Sequence, residues 1–160
     1  MFHKNRSRNL LVSGRTGCGK TTSACAVLCR MIEEDWSRVL YITMPRLLSK
    51  WRSAKTGDSA DPDAFIDSLC NNYDVICIDE FTGKSVITES GQELVFSLLD
   101  AISNGCARFR LWIVGNVESD DLPVMFKDYA PIARRLSENF VYAKYESGRV
   151  KFSRIKSVAE

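Results

Sequence analysis

The stretch Asn9-Leu10-Leu11-Val12-Ser13-Gly14-Arg15-Thr16-Gly17-Cys18-Gly19-Lys20-Thr21-Thr22 decides how the chain reads. Its first five residues form a short apolar run of the kind a buried strand carries. From Gly14 to Thr21 the order is G-x-x-x-x-G-K-T, and Ala24, Val27, Leu28, Met31 and Ile32 then recur at helical spacing. That spacing predicts a helix over 20–34 with those five side chains inward. A strand, a glycine-rich turn and a helix start, in that order, make a phosphate-holding loop. Gly14, Gly17 and Gly19 can take positive φ, which turns successive backbone N–H groups inward. The helix N-terminus adds partial positive charge. Lys20 can reach the β- and γ-phosphates, and the Thr21 hydroxyl can ligate Mg²⁺. Gly14, Arg15, Thr16, Gly17, Cys18, Gly19, Lys20, Thr21 and Thr22 are therefore the expected nucleotide-binding set. Average residue usage gives such a motif about a 0.5% chance of arising by accident in a chain this long.

Outward from the loop, apolar runs alternate with amphipathic ones. Strands are expected over 38–43, 75–78, 109–114, 140–145 and 150–154, and helices over 45–54, 62–71, 88–104 and 131–137. Residues 55–61 read as a loop, and Ser147-Gly148 as a turn. Thr88 is placed to cap its helix and Gly105 to end it. Strands alternating with helices argue for an α/β fold, with helices on a mainly parallel central sheet and an antiparallel edge hairpin. No repeat or linker interrupts the pattern, so residues 1–160 are expected to form a single domain.

The chain has 160 residues, 45% hydrophobic and 26% charged, with a formal net charge of +2. These values exclude disorder and disulfide-scaffold classes. No apolar run reaches the roughly 18 residues of a membrane span, and the basic N-terminus lacks the pattern of a secretory signal. Among the six cysteines there is no C-x-x-C, and His3 is the only histidine. Reduced thiols are expected, with Cys25 and Cys29 as small buried side chains one turn apart.

A second constellation is Val75-Ile76-Cys77-Ile78-Asp79-Glu80, an apolar strand ending in two carboxylates. In a parallel sheet its carboxyl end faces the same crevice as the phosphate loop. Asp79, with Thr21, is the expected Mg²⁺ pair. Glu80 is the expected base for water attacking the γ-phosphate. On the next strand, Gly115-Asn116 puts an amide at the same edge, where Asn116 can orient that water; a plain turn is the alternative. Arg134 and Arg135 sit on a short helix. They read either as stabilisers of transition-state charge, in a neighbouring subunit's site, or as a solvated basic face.

Taken together, these elements resemble the AAA+ ATPases of the replicative helicase-loader and IstB-like group. The phosphate loop is similar to Walker A, Ile78-Asp79-Glu80 to Walker B, and Gly115-Asn116 to sensor 1. Ala133-Arg134-Arg135-Leu136 resembles the segment bearing the arginine finger, with Arg135 the better positional match. The resemblance implies a three-layer P-loop NTPase fold binding ATP and Mg²⁺, with Glu80, Lys20, Asn116 and Arg135 or Arg134 catalytic. It also implies homo-oligomers that associate with single-stranded DNA and act on a replicative helicase or a transposase in the bacterial, or phage-infected, cytosol. Only eight residues precede the first strand and no helical lid follows the core, so a core-only ATPase is expected. Phe152-Ser153-Arg154 is faintly similar to the loaders' Ser-Tyr-Arg end, which makes Arg154 a further candidate.

For DNA, the local candidate is Arg46, Lys50, Trp51 and Arg52, where basic side chains flank a tryptophan able to stack a base. The alternative puts Leu47, Leu48 and Trp51 in the core, since they share a helical face. The basic ends (Lys4, Arg6, Arg8 and Lys144, Arg149, Lys151, Arg154, Lys156) form a second, diffuse candidate. Three other readings stay open: a nucleotide-switched adaptor, a transposition helper ATPase and a filamentous-phage assembly ATPase.

Overall fold

The computed structural model describes residues 8–56, 60–126, 130–146 and 149–155. The strands are β1 (Asn9–Gly14), β2 (Val39–Thr43), β3 (Val75–Phe81), β4 (Arg110–Gly115), β5 (Phe140–Glu146) and β6 (Arg149–Arg154). The helices are α1 (Lys20–Asp35), α2 (Met44–Thr56), α3 (Pro62–Asn72), α4 (Gly83–Val86), α5 (Glu89–Ser103), α6 (Leu122–Met125) and α7 (Ala130–Asn139). A single 3₁₀ turn, Ser119–Asp121, leads into α6. The expected turn at Ser147-Gly148, part of the loop at 55–61, and Lys4, Arg6 and Lys156 lie outside the described residues.

All six strands join one sheet in the order β2-β3-β4-β1-β5-β6, parallel throughout except for β6 against β5. Helices cover both faces, which gives three layers and explains why β1, β3 and β4 read as unbroken apolar runs. On one face Leu10, Val12, Cys77, Trp112 and Val114 pack under Ala24, Leu28 and Met31 of α1. On the other, Leu11, Ile76, Ile78, Leu111 and Ile113 pack under α2, α3, α5 and α7. Local chemistry sets the helix ends. Asp61 accepts from the Ala64 N–H at 2.8 Å to start α3, and Thr88 Oγ1 accepts from the Gly91 N–H at 3.2 Å to start α5.

Two inward assignments on α1 are corrected. Ile32 is 48% exposed, and Cys29 is exposed while Cys25 is half-buried. The stripe that meets the sheet runs through Ala24, Leu28 and Met31. At about 100° per residue, Ile32 lies roughly 80° round the helix from Ala24, beyond that contact. All six cysteines are free thiols.

Candidate active site

Because the strands run parallel, the carboxyl ends of β1, β3 and β4 open on one edge of the sheet. The loop leaving β1 turns through Gly14, Gly17 and Gly19, all at positive φ, and Gly19 is the left-handed cap that starts α1. A Cβ at such an angle is strained, so glycine there lets the helix begin directly beneath the loop. Lys20 is buried and folds back into the loop. Its Nζ donates to the carbonyl oxygens of Gly14 at 2.6 Å and Arg15 at 2.8 Å. Arg15, Thr16, Gly17 and Cys18 are exposed along the rim, as are Thr21 and Thr22 at the start of α1.

Asp79, 6% exposed, is held by donors from three elements. Oδ2 accepts from Thr21 Oγ1 at 2.8 Å and from Tyr41 Oη at 2.6 Å, and Oδ1 accepts from the Glu80 N–H at 2.7 Å. The Thr21 hydroxyl spends its hydrogen on Asp79 and keeps its lone pairs, so the pair can serve a cation through oxygen. Burial and the Asp79 carboxylate push the Tyr41 phenol above its usual pKa, so it stays a donor. Burial, reinforced by Asp79, raises the Cys25 and Cys77 thiols as well, which leaves neutral sulfur on this side of the carboxylate.

A break in the β3–β4 register between Ile78 and Phe81 turns Glu80 outward. Its φ is +56, in the left-handed region that non-glycine residues rarely enter. The cost is of order 1–3 kcal/mol, and the surrounding sheet holds the residue there. Glu80 shares a cavity of about 420 Å³ with Thr16, Lys20, Thr21, Asp79 and Asn116. Asn116 Nδ2 donates to Thr16 Oγ1 at 3.2 Å, which ties the end of β4 to the phosphate loop. A second cavity of about 420 Å³ flanks the loop on the β5 side, lined by Arg15, Cys18, Glu118, Lys144, Tyr145 and Glu146.

By sequence, neither a family model nor any of the curated proteins matches the chain. By fold it superposes on the crystal structure of the DnaC helicase loader, with a TM-score of 0.71 over 89% of this chain and 80% of that one, at 17% identity. Domain III of the Thermotoga maritima replication initiation protein DnaA gives 0.68 over 91% of this chain and 57% of that one, at 19% identity. AMPPCP-bound DnaA from Aquifex aeolicus gives 0.68 over 88% and 41%, at 12% identity. This chain has the P-loop NTPase fold of those replication proteins.

Around that P-loop core the remaining candidates separate. Arg135 is not free: Nη2 meets Asp100 Oδ1 at 2.5 Å, and the guanidinium lies 4.5 Å from the centre of the Phe96 ring. Arg134 is exposed and lies 3.6 Å from Glu138 one turn on. The two adjacent arginines thus sit in different environments, Arg135 partly buried and Arg134 exposed. Trp51 is 4% exposed and packs 6.0 Å from the Phe65 ring, so its stacking role is withdrawn. Leu47, Leu48 and Trp51 form the buried stripe of α2, while Arg46, Lys50 and Arg52 stay on its exposed side. Arg154 lines a cavity of about 690 Å³ with Arg8 and Arg110, at the amino end of the sheet and away from the phosphate loop. Among the diffuse basic residues, Lys144 is tied to Glu118 and Glu146, and Lys151 to Glu146.

Sequence reasoning gave no part to Tyr41. A polar atom one strand away from an acidic strand end was the available signal, but β2 is too short and mixed to show which face Tyr41 occupies. Among the described residues no helix is long and apolar enough to cross a membrane, and no cluster of three or more His, Cys, Asp or Glu side chains can hold a metal. One hydroxyl and one carboxylate suit Mg²⁺, which keeps most of its shell as water and phosphate oxygen; they do not suit a metal held by protein alone.

Proposed function

We propose that the chain is a Mg²⁺-dependent ATPase acting in DNA replication. One observation carries the proposal: a G-x-x-x-x-G-K-T loop, the Thr21–Asp79 pair, Glu80 and Asn116 meet at a single cavity. The loop N–H groups and Lys20 bind the phosphates once the lysine leaves the carbonyls of Gly14 and Arg15. Glu80 accepts a proton from the water that attacks the γ-phosphorus, Asn116 orients that water, and ADP and inorganic phosphate leave. Thr21 and Asp79 would hold Mg²⁺, which would supply neutralisation of charge developing on the phosphates.

The fold likeness to a helicase loader and to DnaA supports a place in replication initiation, in the cytosol, with a replicative helicase as partner. We assign Arg134 the task of completing a neighbouring subunit's site in a homo-oligomer, because it is the more exposed of the two α7 arginines, Arg135 being paired with Asp100. Arg46, Lys50 and Arg52 are the contact we assign to single-stranded DNA, through phosphates alone. Phosphate release from ATP tests the chemistry. Glu80→Gln is expected to lower turnover by about 10²-fold or more while ATP still binds. Wild-type turnover in Glu80→Gln overturns the assignment.

A further inference from the structure

Asp79 has one more donor than a metal-supporting carboxylate beside a threonine requires. Thr21 Oγ1 at 2.8 Å already fixes Oδ2, and the Glu80 N–H at 2.7 Å fixes Oδ1. Tyr41 adds a third bond, 2.6 Å to Oδ2, and it is the shortest of the three. It comes from a separate strand, since Tyr41 on β2 stands opposite Cys77 on β3, two residues before Asp79. The residue is 42% exposed, so water is available to its hydroxyl, yet the hydroxyl is turned to the carboxylate.

We infer that Tyr41 is a positioning residue for Asp79, holding the carboxylate at the rotation from which it serves the metal of a bound Mg²⁺–nucleotide complex. The inference rests on the phosphate-loop reading above. Its physical basis is that a carboxylate on a short side chain has one soft rotation. Thr21 and the Glu80 amide belong to the start of α1 and to the β3 register break, both lining the proposed nucleotide site. Tyr41 belongs to β2, which pairs with β3 in the sheet, so its bond ties Asp79 to an element outside the phosphate loop. Charge-assisted bonds from a hydroxyl to a carboxylate are short and strong, and the 2.6 Å here lies in their usual range. Partners of this outer kind are commonly worth 10–100-fold in metal affinity.

The test is Tyr41→Phe, which removes one oxygen from a half-exposed ring. Nucleotide binding is measured by calorimetry with ATP in excess EDTA and across a Mg²⁺ titration. Mn²⁺ binding in the presence of a non-hydrolysable ATP analogue is followed by electron paramagnetic resonance. We expect an unchanged Kd in EDTA, and about tenfold more Mg²⁺ or Mn²⁺ needed for half-saturation. The Tyr41→Phe effect is expected to vanish in an Asp79→Asn background, because the phenol acts through that carboxylate. Metal dependence identical to wild type overturns the inference, and so does equal weakening with and without metal, which marks a merely structural role. A wild-type chain that binds no nucleotide in either condition overturns the phosphate-loop reading and this inference together.

Discussion

A Cβ placed on Gly115 would stand 2.0 Å from the carbonyl oxygen of Phe81, closer than any side chain can approach a backbone oxygen. The contact lies where β3 and β4 lose register, and the shift there is what turns Asp79 inward and Glu80 outward. Phe81 is buried, so its backbone has nowhere to retreat. The glycine before Asn116 is therefore part of the apparatus that aims Glu80. Gly115→Ala is expected to cost about 1–3 kcal/mol by overpacking, read as a lower midpoint in urea unfolding. ATP turnover is expected to fall in the fraction that stays folded. A variant with wild-type midpoint and turnover would show that the bulge tolerates the methyl group.

The two arginines of α7 are expected to respond in opposite ways. Arg135 bridges α7 to α5 through Asp100 and the Phe96 ring. Arg135→Ala should therefore lower stability by about 1.5–3 kcal/mol, the worth of a charged hydrogen bond in a partly buried setting. Arg134→Ala should leave the melting temperature within experimental scatter, because an exposed pair one turn apart contributes little. Turnover should fall in Arg134→Ala, by as much as the 10³–10⁵-fold such arginines supply elsewhere. Paired measurements of thermal unfolding and phosphate release on both variants check the division. Equal turnover in Arg134→Ala and wild type removes the finger from this helix face.

Asp74 gives a pH-dependent prediction. The Arg38 guanidinium and backbone N–H both donate to its carboxylate and hold its pKa below the ordinary value. A depressed folded pKa means that the contribution is fully present above the unfolded value of about 3.9, and is lost as pH falls through the folded value. Wild type should melt above Asp74→Asn at pH 7, with the gap closing only below about pH 4. The site is largely exposed, so the gap is small and shrinks with added salt. A gap that widens on acidification contradicts the assignment.

Much of this fold was legible because strong periods and sharp punctuation coincide. The apolar runs at 75–78 and 109–114, and the caps at Thr88 and Gly105, needed no tertiary information. Short elements escaped notice. Gly83–Val86 and Leu122–Met125 are single turns, too brief to carry a helical period. The phosphate loop was plain in the sequence, since its geometry depends on glycines at fixed local spacing. The register break that extends β3 to Phe81 was not, because it arises from the carbonyl of Phe81 seated on Gly115, 34 positions away in sequence. Distance also hid the partners of Arg135 and Asp79. Adjacent arginines look alike until α5 places Asp100 beside one of them. Trp51 shows the converse, since Leu47, Leu48 and Trp51 on one face already favoured the core over a base.

Equilibrium binding of ATP with Mg²⁺, measured by calorimetry on the wild type and on Lys20→Ala, tests the central claim most directly. Lys20 is the one cation buried in the loop, and its Nζ now satisfies loop carbonyls at 2.6 and 2.8 Å that it must release to reach phosphate. The account predicts one saturable site in the wild type and at least about tenfold weaker binding in Lys20→Ala, as expected for loss of a charge-assisted contact. A wild type that binds no ATP, or a Lys20→Ala variant that binds it as tightly, contradicts the account.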